Sequence, residues 1–178
     1  MRIKRVTTTV SRDEYEINIC KRRRLKYLGC GLYANVYGNR NIAVKVGSDL
    51  DDPYLNYVRA VGFNSRNPMF PKIKSVVIYN TEYDQYYVVE MERLIRFWDV
   101  KEPMEKCEAR YGIDVDSLDC DDYLSTKIRT TKAKYIKKAL NTIMKMFRHH
   151  GSADMHTGNI MWRKRGKNLQ LVITDPIS

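Results

Sequence analysis

The sequence predicts an α+β chain: a five-stranded antiparallel sheet with one helix, followed by a reduced, mostly helical part that carries a hairpin. Three observations predict it. Short runs rich in valine, isoleucine and tyrosine recur over 25–92, separated by glycine and asparagine turns. Ile136, Leu140, Ile143, Met144 and Phe147 then recur at helical spacing. Finally, two apolar runs flank a polar turn over 163–168.

The elements follow in order. Residues 1–24 form a polar, basic N-terminal segment ending in Lys21-Arg22-Arg23-Arg24. Over 25–46 the pattern is strand, glycine turn, strand, turn, strand, and Gly38-Asn39-Arg40-Asn41 is hairpin chemistry. Pro53 after Asp51-Asp52 starts a helix over 53–62, with acidic residues at its positive end. Strands at 72–79 and 85–91 complete the first part, 25–92. Residues 93–130 include an acidic stretch that reads as a linker or insertion. The last part, 131–178, holds a helix over 131–149, stopped by Gly151, and the hairpin.

A length of 178 residues fits one domain or one domain of two small lobes, and 43% hydrophobic content supports a packed core. No run is long and apolar enough to span a membrane, and the basic start is not followed by the apolar stretch of a secretory signal. Cys20, Cys30, Cys107 and Cys120 show no paired short spacing, so reduced thiols in a cytoplasm are expected. A formal charge of +11 favours acidic partners, and equally serves solubility and a nucleotide site. Aromatic residues do not interleave with the basic runs at 21–24, 127–138 and 163–167 in a stacking pattern, so direct nucleic-acid binding is not expected. Singly, those runs read as solvated faces. Trp98 and Trp162 read as packing residues.

Two motifs carry chemistry. Gly29-Cys30-Gly31-Leu32-Tyr33-Ala34-Asn35-Val36 is a glycine hairpin whose backbone amides can approach phosphates, and Lys45 in Ala43-Val44-Lys45-Val46 can neutralise them. Asp154-Met155-His156-Thr157-Gly158-Asn159, then Asp175 after Val172-Ile173-Thr174, supplies a carboxylate for an attacking hydroxyl and oxygen ligands for Mg²⁺. Asp154 or Asp175 alone reads as a turn cap. The ordered set Lys45, Asp154, Asn159 and Asp175 reads as phosphoryl transfer.

In these residues the chain resembles the protein-kinase superfamily, and within it the early serine/threonine protein kinases of T7-like bacteriophages. The shared wording is the run from Asp154 to Met161 and the ending Ile173-Thr174-Asp175-Pro176. The resemblance covers 25–178 and is weakest over 95–130. It implies a kinase-like fold and the cofactors ATP and Mg²⁺. It implies an ATP site formed by Gly29, Gly31, Ala34, Val36 over the adenine, Ala43, and Lys45 on the α and β phosphates. Val89-Glu90-Met91-Glu92 would be the hinge, with Val89 as gatekeeper and the backbone of Glu90 and Met91 or Glu92 holding adenine. Asp154 would be the catalytic base, with Lys45 and His156 as the other catalytic residues, and Asn159 and Asp175 the metal ligands. The implied role is phosphorylation of host proteins of the transcription or RNA-processing machinery, in the cytoplasm of the infected bacterium.

The chain departs from the common kinase pattern in several places. Ala34 stands at the third loop glycine, Ser152-Ala153 precedes Asp154, and Pro176-Ile177 follows Asp175. No glutamate lies between Lys45 and Glu82 to pair with the lysine; Asp51 and Asp52 are substitutes that equally suit a helix cap. The chain stops at Ser178, before the segments that bind peptide in a full kinase. If that end is native, the apolar face of the 131–149 helix lacks its usual cover, which predicts a homodimer or a protein partner. His156 also resembles the pattern of aminoglycoside kinases, so a small-molecule kinase is one rival. A non-catalytic ATP-binding or host-protein-binding module and a basic nucleic-acid-binding protein are the others.

Overall fold

The computed structural model describes residues 2–48, 50–63, 66–112, 131–150 and 156–176, without the side chains of 63, 131–133 and 147–150. Two compact units divide the chain: Met1–Leu55 with Lys72–Arg93, and Asn56–Pro71 with Leu94–Ser178.

The first unit is built on strand β1 (Lys4–Thr7), helix α1 (Arg12–Arg23), β2 (Lys26–Cys30), β3 (Ala34–Gly38), β4 (Ile42–Gly47), the start of α2 (Pro53–Phe63), β5 (Ile73–Asn80) and β6 (Gln85–Glu92). The strand order is β1-β5-β6-β4-β3-β2. The five expected strands pair antiparallel, as short turns between them require. A sixth, β1, adds parallel to β5, with Lys4 opposite Val77 and Thr7 opposite Asn80. The β3–β4 turn closes as its asparagines demand: Asn39 Oδ1 accepts the backbone N–H groups of Asn41 and Ile42 at 2.9 and 3.3 Å.

The expectation of five strands and one helix is therefore corrected within 1–24. Ser11 caps α1, its hydroxyl accepting the Glu14 N–H at 3.3 Å, and Arg24 ends it in a left-handed conformation. Asp13 and Glu14 in the first turn and Lys21–Arg23 in the last complement the helix dipole. Ile19 and Leu25 pack with Ile42, Val44, Val46, Tyr86 and Val88, so α1 covers one face of the sheet. Glu16 is buried there and accepts Arg12 Nε at 2.8 Å, Asn35 Nδ2 at 3.0 Å and the Tyr37 hydroxyl. Arg23 and Lys74 both pair with Glu90 on β6, at 2.6 and 3.8 Å.

The second unit holds the rest of α2, β7 (Ile95–Arg96), a 3-10 turn (Phe97–Asp99), α3 (Pro103–Tyr111), α4 (Thr131–His150), a second 3-10 turn (Thr157–Asn159), β8 (Ile160–Arg165) and β9 (Asn168–Ile173). It has more strand than expected, because β7 joins the hairpin in a sheet of order β7-β8-β9. The expected turn over 163–168 shrinks to Gly166-Lys167, since Arg163 pairs with Gln170 and Arg165 with Asn168. Gly166 takes φ 58°, which only glycine adopts without cost. Helix α3 occupies part of the stretch read as a linker, while 113–130 lie outside the described residues.

Ile136, Ala139, Leu140 and Ile143 of α4 are all buried within the chain. That part of the helix face is covered within the chain. Arg163 corrects the reading of 163–167 as a solvated basic run. It is buried, and its guanidinium donates to the carbonyl oxygens of Pro68 and Phe70 at 2.6 and 2.7 Å. Trp162 is fully buried, stacked on Phe97 at 5.6 Å, with Nε1 donating to the Phe97 carbonyl at 3.1 Å. Trp98, expected to pack, is instead 59% exposed. Among the described residues no helix is long and apolar enough to cross a membrane.

Candidate active site

The glycine hairpin forms the turn between β2 and β3. The β2–β3 register slips between Tyr27 and Gly29, so Leu28 is an extra residue, and Gly29 takes φ 154°, a conformation that side-chain-bearing residues avoid. Beyond it the turn is closed by the Gly31 N–H donating to the Ala34 carbonyl at 2.8 Å. Added Cβ atoms on Gly29 and Gly31 would meet nothing within 4 Å, so the loop backbone presents an open approach. Ala34 is buried opposite Gly47, a position where a methyl group fits.

Lys45 lies opposite Val36 on β3 and Val89 on β6, and directly opposed residues of neighbouring strands share a face. Ala43 and Met91 sit on that same face. This is the face opposite the one covered by α1, because Val44, Val46 and Val88 point the other way. The Lys45 ammonium lies over the ring of Tyr54, 3.4 Å from its centroid. A cation so placed on a partly desolvated ring gains about 1–2 kcal/mol.

Tyr54 comes from the first turn of α2, and the helix starts there because Asp52 caps it. Asp52 Oδ1 accepts the Tyr54 N–H at 2.9 Å and Oδ2 accepts the Tyr87 hydroxyl. The Tyr87 ring lies against Gly47, where any Cβ would collide with it. Sequence reasoning found Asp52 as a cap; Tyr54 and Tyr87 carried no motif.

Val89, Glu90, Met91 and Glu92, expected as the hinge, all lie inside β6. Val89, Glu90 and Met91 are paired on both edges, by β4 on one side and β5 on the other. Glu92 is tied to Lys72 twice: its N–H donates to the Lys72 carbonyl at 3.0 Å and its carboxylate accepts the Lys72 N–H at 2.7 Å. The Glu90 side chain is held by Arg23, and that hydrogen bond keeps its carboxyl below the usual carboxylate range.

In the second unit, Asn159 ends the 3-10 turn before β8, and Asp175 follows β9 by two residues. The hairpin brings these ends together, with Ile160 opposite Ile173. Thr174 fastens them, its N–H and its hydroxyl donating to the Asn159 carbonyl at 2.8 and 2.9 Å. The Tyr57 hydroxyl of α2 donates to the Ile173 carbonyl at 2.5 Å and anchors the same strand end.

His156 folds back over its own turn. Nδ1 accepts the Gly158 N–H at 3.0 Å and Nε2 lies 3.1 Å from the Asn159 amide nitrogen. A Cβ on Gly158 would come within 2.6 Å of the imidazole, so that glycine is needed for the ring's approach. The expected base, Asp154, lies outside the described residues.

The donor set suits magnesium. An amide oxygen and a carboxylate at fastened strand ends are hard ligands, and Mg²⁺ takes few protein ligands because phosphates and water fill the rest.

No curated protein matches the chain. A family model does, over residues 25–178, and its description is bacteriophage T7 protein kinase 0.7. That span takes in the glycine hairpin, Lys45, His156, Asn159 and Asp175, and the chain belongs to this family of phage protein kinases.

Proposed function

We propose that the chain is an ATP- and Mg²⁺-dependent serine/threonine kinase that phosphorylates host proteins of the transcription or RNA-processing machinery in the cytoplasm of an infected bacterium. The observation that carries the chemistry is the fastening of Asn159 to the residue before Asp175 by the two hydrogen bonds of Thr174. Two oxygen ligands held this way form a preorganised site, which is what electrostatic catalysis of phosphoryl transfer needs.

The proposed reaction is phosphoryl transfer from MgATP to a protein hydroxyl. Lys45 neutralises the α and β phosphates, and the loop from Gly29 to Ala34 offers its backbone to them. Asn159 and Asp175 hold Mg²⁺, which supplies positive charge to the phosphate oxygens. The substrate hydroxyl oxygen bonds to the γ-phosphorus as the bond to the β–γ bridging oxygen breaks. The hydroxyl proton passes to Asp154, and ADP leaves with the bond's electron pair. Val36 and Ala43 remain in place to pack the base.

Radiolabelled phosphate transfer from ATP to a bacterial lysate, with Mg²⁺, tests the proposal. Labelled protein bands that vanish in Asp154→Ala and Asp175→Ala support it. Binding of ATP without transfer would replace it with a nucleotide-binding module, and transfer confined to a small-molecule hydroxyl with a rival kinase class.

A further inference from the structure

We infer that Tyr54 is a positioning residue for Lys45: the face of its ring holds the ammonium where the phosphates of ATP are to be met. The inference rests on the kinase reading for its purpose, but the contact stands on its own geometry.

A lysine has a flexible four-carbon stem, and holding its head at one point costs rotamer freedom. The strand neighbours opposite Lys45 are Val36 and Val89, which wall the stem. The Tyr54 ring, 3.4 Å from Nζ, offers an electron-rich face.

That ring is itself held from several sides, as a positioning element has to be. Its backbone N–H is fixed by Asp52 Oδ1 at 2.9 Å, and its hydroxyl reaches Met91 Sδ at 3.8 Å. The ring stacks on Tyr87 with centroids 6.4 Å apart and planes 30° from parallel. Tyr87 is secured by the second oxygen of Asp52 and by the space that Gly47 leaves. One buried carboxylate thus fixes both the helix turn that carries Tyr54 and the ring that backs it. Tyr54 is only 1% exposed, so the face presented to Lys45 cannot swing into water.

A purely packing role for Tyr54 would depend on ring size, whereas a hold on the ammonium depends on the ring's electron density. The test replaces Tyr54 with phenylalanine and then with mono-, di- and trifluorinated phenylalanines, which are nearly the same size. Thermal unfolding is measured beside two readouts: kcat/KM for ATP, and the acylation rate of Lys45 by acetic anhydride, followed by peptide mass spectrometry. The expected result is near-normal behaviour in Tyr54→Phe. Each added fluorine then lowers kcat/KM, to roughly a tenfold loss in all, and raises Lys45 acylation in step, with only a small fall in thermal stability as the cation–π contact weakens. Acylation that stays flat along the series overturns the inference. If the unsubstituted protein transfers no phosphate, the kinase reading fails alone, and the acylation series still decides whether Tyr54 holds Lys45.

Discussion

Thr174 donates to the carbonyl oxygen of Asn159 from both its backbone N–H and its hydroxyl, at 2.8 and 2.9 Å. Thr174→Val keeps the shape and removes one of the two bonds, at a cost of about 1 kcal/mol. Urea unfolding should show that loss, and the Mg²⁺ concentration for half-maximal transfer should rise. Thr174→Ser should leave both near normal.

Gly47→Ala tests the packing behind the lysine. The new methyl group must displace the Tyr87 ring, and overpacking of this kind costs about 1–3 kcal/mol. Thermal unfolding should show the loss, while Gly31→Ala, in open space, should leave stability within about 0.5 kcal/mol.

Glu16→Ala removes the acceptor shared by Asn35, Tyr37 and Arg12. Groups left without partners at a buried site cost about 1–3 kcal/mol, so the melting temperature should fall and limited proteolysis should cut near α1. Glu16→Gln, which keeps an acceptor oxygen, should lose less.

Arg163→Met removes the donors that two backbone carbonyls use, for a loss of about 2–3 kcal/mol in urea unfolding. Arg163→Lys should recover only part of it, because an ammonium lacks the planar fork that meets Pro68 and Phe70 together.

Alkaline pH should unfold the protein through its buried acids. Burial pushes the Cys107 thiol from 9.0 up to about 12, and the Tyr86 hydroxyl from 10.0 up to about 12. Both groups hold their protons more tightly when folded, so their stabilisation is complete below about pH 9 and is lost between about pH 9 and 12. Urea midpoints measured across that range should fall, and Cys107→Ala should flatten the lower part of the decline. Iodoacetamide at pH 8 should label exposed Cys30 well before Cys107.

Where a residue's own chemistry determines its local structure, the sequence was readable. Asn39 and Asn41 marked the β3–β4 turn, Pro53 after Asp52 marked the start of α2, and the period from Ile136 to Ile143 marked α4. Helix α1 was hidden because its buried face carries Glu16 while Ile17 is 55% exposed, which breaks the apolar period. Its caps, Ser11 and the basic last turn, were legible in retrospect. Strand β1 is four residues long and depends on β5, more than 70 positions away, so no local pattern could mark it. The set Lys45, Asn159 and Asp175 was read from spacing alone. Tyr54 was not, since its role comes from a helix turn brought over a strand, and adjacency across a fold leaves no trace in spacing. The apolar run of β6 suggested a hinge, while its pairing on both sides is visible only in the sheet.

The pattern shared with the family begins at residue 25, whereas Ile19 and Glu16 lie before it and fill one face of the sheet that bears Lys45. Heredity and folding therefore draw different borders on this chain. A graft that exchanged only 25–178 between relatives would carry every residue proposed for phosphoryl transfer and leave behind part of the hydrophobic interior of the sheet. Recombination of whole catalytic segments would then succeed only where the incoming sheet accepts the resident α1, so the N-terminal helix acts as a compatibility filter on the site.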